Sequence, residues 1–323
     1  MVDFTVAIPT YNSEHRLPLF LEKLRECLLY TERSELCNIS VEVIIVDNNS
    51  GDRTEKIIKN YRENWHSKFP LIYCFEAEQG AAFARQHAVR VAHGEFIGFL
   101  DDDNLPAPDW IVRAYLFGKQ HPQAGAYGGK IHAKYEVLPP ENFDRIAGFL
   151  AIRHRGEHPN LYQPEVLSLP PGAAMVVRRQ AWLDCVPQRP KLGGKAAGSM
   201  IQGDDWEPLI YLYKAGWEIW YNPEMRTEHQ IPAFRLDREY LLALIRGSCL
   251  CFIPLKMMFL KPWQKPIAIA KTVLGNSYKA AWHYLQYRNL LKSNLVKRCE
   301  LQIYLSRIES VFYYFSLFKN RHW

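Results

Sequence analysis

The stretch that most constrains the fold of this chain is an apolar run that starts at Gly94 and ends in three carboxylates, Asp101, Asp102 and Asp103. An apolar segment of this length between a glycine and charged residues is typical of a strand buried on both faces of a parallel sheet. Ligands of open α/β sheets bind beyond the carboxyl ends of the strands. The three aspartates are therefore expected at a crevice, where their oxygen atoms suit Mg²⁺ or Mn²⁺. The alternative is a solvated turn whose acids cap the next helix.

Strand and helix patterns alternate through the first half of the chain, which is typical of parallel βαβ units. Besides the strand before Asp101, strands are predicted at residues 4–8, 41–46 and 71–75, and a later one at 171–177. Residues 191–198 are predicted to be a flexible loop because they are rich in glycine and alanine. The sequence therefore predicts an α/β fold whose polar strand ends meet along one edge of the sheet.

Charge is distributed unevenly along the chain. Residues 235–323 hold 15 lysines and arginines against 4 acids, whereas residues 1–234 hold 25 against 30. The basic part is also rich in large apolar residues, as at 250–263, which favours peripheral contact with a cytoplasmic membrane surface. Charges interrupt its apolar windows, so we expect it to lie on a bilayer rather than cross it. The alternative is a helical subdomain with a solvated basic face. No nucleic-acid partner is expected, since the region lacks a recognisable reading motif.

The cysteines and the first residues bear on the compartment. Seven cysteines occur without a C-x-x-C pair, which predicts free, mostly buried thiols rather than a zinc site. Met1 runs almost directly into the first predicted strand, with no basic head or cleavage site typical of a secretory signal. We therefore expect a cytoplasmic protein at the cytoplasmic face of the membrane.

Several motifs in order resemble the family 2 glycosyltransferases of the GT-A fold over residues 4–232. The resemblance implies a GT-A, mostly parallel sheet flanked by helices in residues 1–234, the catalytic domain. Residues 235–323 would then form a helical, basic and apolar extension. The matching segments are residues 6–12, 43–50, 80–85 and 94–103, followed by Gly203-Asp204-Asp205 and by His229 downstream.

The resemblance also implies which residues bind the donor. Asp103 and His229 would hold a divalent metal, Mn²⁺ or Mg²⁺, in a DXD-type site, although a single histidine can equally be structural. A carboxylate at Asp47 can accept the imide N–H of a uracil, which favours a UDP-sugar. The residues expected at the donor nucleotide are Pro9, Thr10, Tyr11, Asp47, Arg85, Asp101 and Asp102.

Asp205 is the residue expected to act as the catalytic base. It would take the proton of an acceptor hydroxyl as that oxygen attacks the anomeric carbon, and one direct displacement inverts the configuration. Asp204 and Trp206 are expected at the acceptor, although relatives usually carry glutamate at the position of Asp204. The alternative for this acidic pair is helix N-capping.

The function that the resemblance implies is transfer of a single sugar. The Gln-x-x-Arg-Trp pattern of processive synthases is absent. We expect an inverting transfer from a nucleotide-sugar, with a UDP-sugar as the favoured donor, to a saccharide or lipid-linked saccharide in polysaccharide or glycoconjugate biosynthesis. The alternatives are a glycosyltransferase acting directly on polyprenyl phosphate, and a non-catalytic subunit that binds a nucleotide-sugar or a glycan.

Overall fold

A central sheet of nine strands organises the computed structural model, which describes residues 2–194 and 198–319. Lys195, Ala196 and Ala197, in the loop predicted to be flexible, lie outside the described residues. The strands follow the order β3-β2-β1-β4-β8-β6-β9-β5, and β7 pairs with β9. The strands are β1 (Phe4–Thr10), β2 (Val41–Asp47), β3 (Leu71–Phe75), β4 (Phe96–Phe99), β5 (Asn104–Pro106), β6 (Ala124–Tyr135), β7 (Asn160–Leu161), β8 (Met175–Arg178) and β9 (Glu218–Ile231).

The sheet is flanked by helices, so the α/β fold class predicted from the sequence is confirmed. Short 3₁₀ turns occur at Gly148–Leu150, Pro164–Val166, Ala233–Leu236 and Pro262–Gln264. The α-helices are α1 (Leu17–Arg33), α2 (Thr54–Glu63), α3 (Ala81–Val91), α4 (Trp110–Gln120), α5 (Asp144–Ala147), α6 (Arg179–Cys185), α7 (Trp206–Lys214), α8 (Arg238–Leu250), α9 (Phe252–Met257), α10 (Lys265–Tyr287) and α11 (Leu295–Lys319).

The first four strands are parallel, and β1, β2 and β4 are buried on both faces, whereas the edge strand β3 is only partly buried. Side chains of a strand alternate between the two faces, so β1 sends Val6 towards one core and Ala7 towards the other. The first core also holds Leu21 of α1, and the second holds Ala88 of α3. These strands were predictable because burial on both faces requires a nearly continuous apolar sequence.

The second half of the sheet is mixed rather than mostly parallel. β8 pairs antiparallel with both β4 and β6, and β9 runs parallel to β6 but antiparallel to β5 and β7. The predicted strand at 171–177 corresponds to β8. Strands β6 and β9 were not predicted because their sequences, AGAYGGKIHAKY and EIWYNPEMRTEHQI, are rich in small or polar residues and β9 contains a proline. The edge that carries the site therefore includes a strand without an apolar signature.

Four helices from α8 onward close the fold on the side of the strand ends. One stretch of them, Arg238–Met257, is long and apolar enough to cross a membrane by length and composition, which the charge pattern did not predict. Of its apolar window, 61% is buried inside the fold, and Leu241, Leu244 and Ile245 belong to a local core. The apolar residues of this stretch are therefore explained by packing within the fold. All seven cysteines are free, and four of them are buried, which confirms the expectation of free thiols.

Helix α8 also positions the loop that precedes α7. The backbone of Met200 crosses α8 at Gly247, where a Cβ atom would lie 1.9 Å from the carbonyl oxygen of Met200. The thiol of Cys251 contacts the carbonyl of Gln202 in the same loop. A few residues further on, this loop delivers Asp204 and Asp205 to the edge of the sheet.

We predict that Gly247→Ala destabilises the protein, because the added methyl group meets backbone that cannot move without displacing the loop. Overpacking of this kind costs about 1–3 kcal/mol in the free energy of unfolding, which urea denaturation measures. Gly275→Ala in α10 is the matched control, since a Cβ there meets nothing within 4 Å. Alanine should be neutral or stabilising there by up to about 1 kcal/mol. Equal stability of the two variants would contradict the role of Gly247.

Candidate functional site

A cavity of about 600 Å³ lies beyond the carboxyl ends of β1 and β4. The C-terminal helices form one wall, with Leu244, Leu255 and Arg307 from α8, α9 and α11. Eleven of the twelve residues singled out from the sequence line this cavity. They are Pro9, Thr10, Tyr11, Arg85, Asp101, Asp102, Asp103, Asp204, Asp205, Trp206 and His229.

Asp47 is the predicted site residue that is missing from the described lining of the cavity, where its neighbour Asn48 is found. Asp47 ends β2 and is buried. Its carboxylate accepts hydrogen bonds from the hydroxyl of Tyr73 at 3.2 Å and from the backbone N–H of Ser50 at 3.0 Å. These bonds hold the turn behind the cavity, and contact between Asp47 and a nucleotide stays a prediction.

The three aspartates after β4 do not form a solvated helix cap, because each binds a different partner across the fold. Asp102 makes the most hydrogen bonds of the three to other segments. It accepts hydrogen bonds from Thr10 Oγ1 at 2.6 Å, from Arg16 Nε at 2.6 Å and from the hydroxyl of Ser13. Asp102 therefore ties the loop after β1 to the end of β4, and its contact with a donor stays a prediction.

A buried arginine, Arg85 of α3, lies at the centre of the acidic cluster. Its guanidinium pairs with Asp204 and, at 3.4 Å, with Asp101. Burial would by itself lower the pKa of Arg85, but Asp204, Asp101 and Asp205 together raise it. Arg85 is therefore a permanent cation that joins the end of β4 to the start of α7. Its predicted contact with the nucleotide is a different role, which stays a prediction.

Asp205 does not cap α7 with its side chain, although it occupies the N-cap position. Its Oδ2 atom instead accepts the backbone N–H of Gly172 at 2.8 Å, and Gly203 before the pair has φ +104°. Burial, reinforced by the charge of Asp204, raises the pKa of Asp205 to about 6. A carboxylate with such a pKa can accept a proton at neutral pH. The capping alternative is wrong for this pair.

Asp204 and Trp206, the two residues expected at an acceptor, are both held by protein groups. The Asp204 carboxylate is buried against Arg85, and the indole N–H of Trp206 donates to the carbonyl of Pro170 at 3.1 Å. Trp206 is half-buried and lines the cavity with its ring. Contact of either residue with an acceptor stays a prediction.

A second arginine, Arg235, sits between Asp103 and His229. Its guanidinium donates to Asp103 Oδ2 at 2.6 Å and to His229 Nε2 at 2.7 Å, and these two acceptor atoms are 3.5 Å apart. The other ring nitrogen, Nδ1, lies 2.8 Å from the carbonyl oxygen of Leu150. A carbonyl only accepts, so Nδ1 carries the proton and the lone pair of Nε2 accepts the hydrogen bond from Arg235.

The charge of Asp103 depends on Arg235. Burial acts to raise the pKa of Asp103, but the guanidinium of Arg235, by its charge and its hydrogen bond, holds that pKa well below its ordinary value. His229 accepts from Arg235 through Nε2 and therefore donates no proton to Asp103. Burial raises the pKa of Asp101, because its contact with Arg85 at 3.4 Å does not offset that effect. Asp103 is thus kept as a carboxylate more firmly than Asp101.

Sequence reasoning missed Arg235 and Arg16 as site residues. Arg235 was treated only as the first residue of the basic region, and it is 132 residues away from Asp103 in sequence. Arg16 lies immediately before the first residue of α1, where no sequence pattern marks it as a site residue. The signal that could have indicated Arg235 is its position shortly after His229, at the end of β9.

The part of the chain that the structure describes does not contain a complete set of metal ligands. No group of three or more histidine, cysteine, aspartate or glutamate side chains there is arranged to hold a metal ion. Asp103 and the Nε2 atom of His229 have the right chemistry for two ligands of one ion, but the guanidinium of Arg235 takes both. These two donors fit a cation only when Arg235 has moved away and other ligands complete the set.

Comparison with known proteins points to one family. The family described as Glycosyl transferase family 2 matches residues 5–182. The uncharacterized glycosyltransferase YfnE of Bacillus subtilis is 34% identical over 148 residues, which is 44% of this chain and 35% of YfnE. The poly(ribitol-phosphate) β-N-acetylglucosaminyltransferase TarS of Staphylococcus aureus is 29% identical over 38% of this chain and 20% of its own length. This chain therefore spans about a third or less of these two relatives.

Solved structures agree with the sheet and its flanking helices. Mannosyltransferase PcManGT from Pyrobaculum calidifontis, with GDP-Man and Mn²⁺, gives a TM-score of 0.56 at 20% identity, over 96% of this chain and 86% of that one. TarS residues 1–349 with UDP-GlcNAc give a TM-score of 0.52 at 15% identity, over 95% and 90%. At this identity the likeness establishes the GT-A fold alone.

We predict that Arg85→Met destabilises the fold, because it leaves the buried Asp204 and the neighbouring Asp101 and Asp205 without their cation. Removing one partner of a buried ion pair costs about 3–5 kcal/mol. The unpaired carboxylates would have pKa values above those of the unfolded chain, so the loss should be present at neutral pH and shrink as the pH falls towards about 5. Urea denaturation at both pH values measures it.

Arg226→Met is the matched control, because Arg226 pairs with Asp109 at 3.3 Å but is 55% exposed. Its loss should change the free energy of unfolding by no more than about 1 kcal/mol at either pH. A pH-independent loss in Arg85→Met would contradict the electrostatic account.

Proposed function

This chain belongs to glycosyl transferase family 2, and on that premise we propose that it transfers a single sugar from a nucleotide-sugar to a saccharide or lipid-linked saccharide. The observation that carries the proposal is the convergence of Asp101–Asp103, Arg85, Asp205 and His229 around one cavity. These residues come from distant parts of the sequence. An acidic set that only shaped a surface would not need to meet beside a cavity large enough for a nucleotide-sugar.

Asp205 is the proposed catalytic base. Its pKa of about 6 lies close enough to neutral pH for the carboxylate to take the acceptor's hydroxyl proton. The freed oxygen would attack the anomeric carbon while the bond to the diphosphate oxygen breaks, and the diphosphate leaves with the electron pair. A single displacement of this kind inverts the anomeric configuration.

The negative charge of the leaving diphosphate requires positive groups on the other side of the cavity. Arg235 is available there as a permanent cation, and Arg16 lines the same cavity. Asp103 and His229 would hold Mn²⁺ or Mg²⁺ once Arg235 releases them. Such an ion, when bound, neutralises developing charge on phosphate oxygens. Support for a metal comes from PcManGT, whose structure contains Mn²⁺.

A UDP-sugar is the proposed donor. Support comes from TarS, whose structure contains UDP-GlcNAc, whereas PcManGT contains GDP-Man. Pro9, Thr10 and Tyr11 of β1 and its loop provide a wall for a base, and Tyr11 is 37% exposed there. GDP is therefore the comparison that any binding test must include.

The proposed location is the cytoplasmic face of a membrane, with residues 235–323 as the contact region and residues 1–234 as the catalytic domain. Support comes from the excess of basic residues after residue 234. A lipid-linked acceptor would be presented at such a surface. The boundary is a functional division only, because Arg235 and the helices after it also line the cavity.

We predict that Asp205→Asn lowers turnover by about 10²- to 10⁴-fold while nucleotide binding is retained, because the amide cannot accept the proton. Release of UDP from UDP-glucose or UDP-N-acetylglucosamine, with and without candidate saccharides, measures turnover. In the wild type, kcat/KM should fall as the pH drops below about 6, where Asp205 becomes protonated. Asp109→Asn, outside the cavity, is the control. Full turnover in Asp205→Asn would remove Asp205 from the mechanism.

We predict that UDP binds in the presence of Mn²⁺, more tightly than GDP, and that Asp103→Ala abolishes the dependence on metal. Calorimetric titration of both nucleotides, with and without Mn²⁺, measures this. Arg235→Ala should bind Mn²⁺ more tightly than the wild type without nucleotide, because Asp103 and His229 are then released. Arg226→Ala is the control arginine. The absence of nucleotide binding under every condition would favour a non-catalytic subunit that recognises a glycan.

A further inference from the structure

Helix α10 has most of its large apolar residues on the solvent side. The residues that it buries fully are small or polar, at a spacing that follows one helical face: Ala268, Thr272, Asn276, Ala280 and His283. Ile269 and Val273 are partly buried against a local core. Surface helices normally have their main apolar stripe facing the core. The burial of α10 therefore does not explain its exposed apolar residues.

The opposite face of α10 exposes five large side chains. Ile267 is 50% exposed, Leu274 71%, Tyr278 70%, Trp282 61% and Leu285 65%. Their spacings of seven, four, four and three residues place them on one side of a helix with 3.6 residues per turn. We call these five residues the α10 face. An exposed apolar surface of this extent marks an interaction site.

Charge around the α10 face is predominantly positive. One acid, Glu300, lines a small cavity together with Tyr278 and Trp282, but it pairs with Lys297 at 3.1 Å. Residues 241–299 contain no aspartate or glutamate, but ten lysines and arginines. In the part of the chain that the structure describes, four exposed cations flank the face without a carboxylate in ion-pair distance. They are Lys261, Lys271, Lys279 and Arg288.

The positive charge indicates which kind of partner can bind the α10 face. A second copy of the chain would bring two cationic faces together, whereas an anionic lipid surface would complement both the lysines and the apolar groups. Tyrosine and tryptophan are also the aromatic residues that favour the interface between lipid and water. The composition of the face therefore fits an anionic bilayer better than a second copy.

The α10 face is coupled to the cavity through α11. Helix α11 packs against both α10 and α8, and its Arg307 lines the cavity together with Phe252 of α9. A helix lying in a membrane surface would thus hold the cavity wall at a set distance from the lipid headgroups.

We propose that α10 lies flat on an anionic bilayer with the α10 face inserted among the lipids, and that it keeps the cavity next to lipid-linked acceptors. The acceptor half of this inference rests on the proposed function. The bilayer half rests on α10 alone.

Flotation of the full chain with vesicles tests the proposal. Vesicles of phosphatidylcholine alone should bind weakly, and vesicles that also contain phosphatidylglycerol should bind strongly and lose the protein at high salt. Leu274→Ser combined with Leu285→Ser should weaken binding by at least about tenfold, because two leucine side chains no longer enter the lipid. Lys271→Gln combined with Lys279→Gln should reduce the preference for phosphatidylglycerol.

The matched control is Leu138→Ser combined with Val166→Ser, since Leu138 is 95% and Val166 69% exposed outside the C-terminal helices. This control should float like the wild type. Two results would overturn the proposal. One is that the α10 double variant, Leu274→Ser with Leu285→Ser, floats as well as the wild type. The other is that the wild type forms a dimer without lipid and only this variant loses it.

Nucleotide binding separates this proposal from the proposed function. UDP titration of the α10 double variant should match the wild type, which also establishes that the variant is folded. Vesicle binding without nucleotide binding in the wild type would refute the transferase function and leave the bilayer contact standing. Nucleotide binding without vesicle binding would refute the bilayer contact alone.

Discussion

The ion-pair cluster around Arg85 is the interaction on which the rest of the site depends. One buried guanidinium holds carboxylates from the end of β4 and from the start of α7, two segments separated by about a third of the chain. Without that charge, Asp101, Asp204 and Asp205 would repel one another, because like charges at short range raise the free energy of the folded state. Burial at this position, together with the charge of Asp204, raises the pKa of Asp205 to about 6, although Arg85 acts in the opposite direction. Stability and chemistry therefore depend on the same group of residues.

Arg235 plays the corresponding part on the opposite side of the cavity, but with a different consequence. Arg85 is enclosed, whereas Arg235 contacts two groups, Asp103 and His229, that also have the chemistry of metal ligands. Arg235 thus neutralises the negative charge of Asp103. A metal ion must therefore compete with the Arg235 guanidinium for Asp103 and His229. A diphosphate that attracts Arg235 would lower the cost of that exchange. Nucleotide and metal would then bind cooperatively, because each removes an obstacle to the other.

The C-terminal helices have two different surfaces, one that packs against the sheet and one that faces solvent. Towards the sheet, α8 receives the loop before Asp204 at Gly247, and α8, α9 and α11 supply part of the cavity wall. Away from the sheet, α10 presents large apolar residues among exposed lysines. An extension that only covered the site would have no need of this second surface. The arrangement links the place where a lipid-linked acceptor would be presented to the place where Asp205 would act.

The sequence by itself determined the parallel half of the sheet, the helices between its strands and the acidic residues at their ends. Strands buried on both faces need long apolar runs, and the polar residues that interrupt them are therefore visible in the sequence. It did not reveal β6 and β9, whose small and polar residues are stabilised by strand pairing rather than by their own preference. Only the tertiary structure decided the partners of each carboxylate: Arg85 for Asp204, Thr10 and Arg16 for Asp102, Arg235 for Asp103. Such pairings join residues far apart in the chain, and their energies depend on distance and burial, which no local pattern encodes.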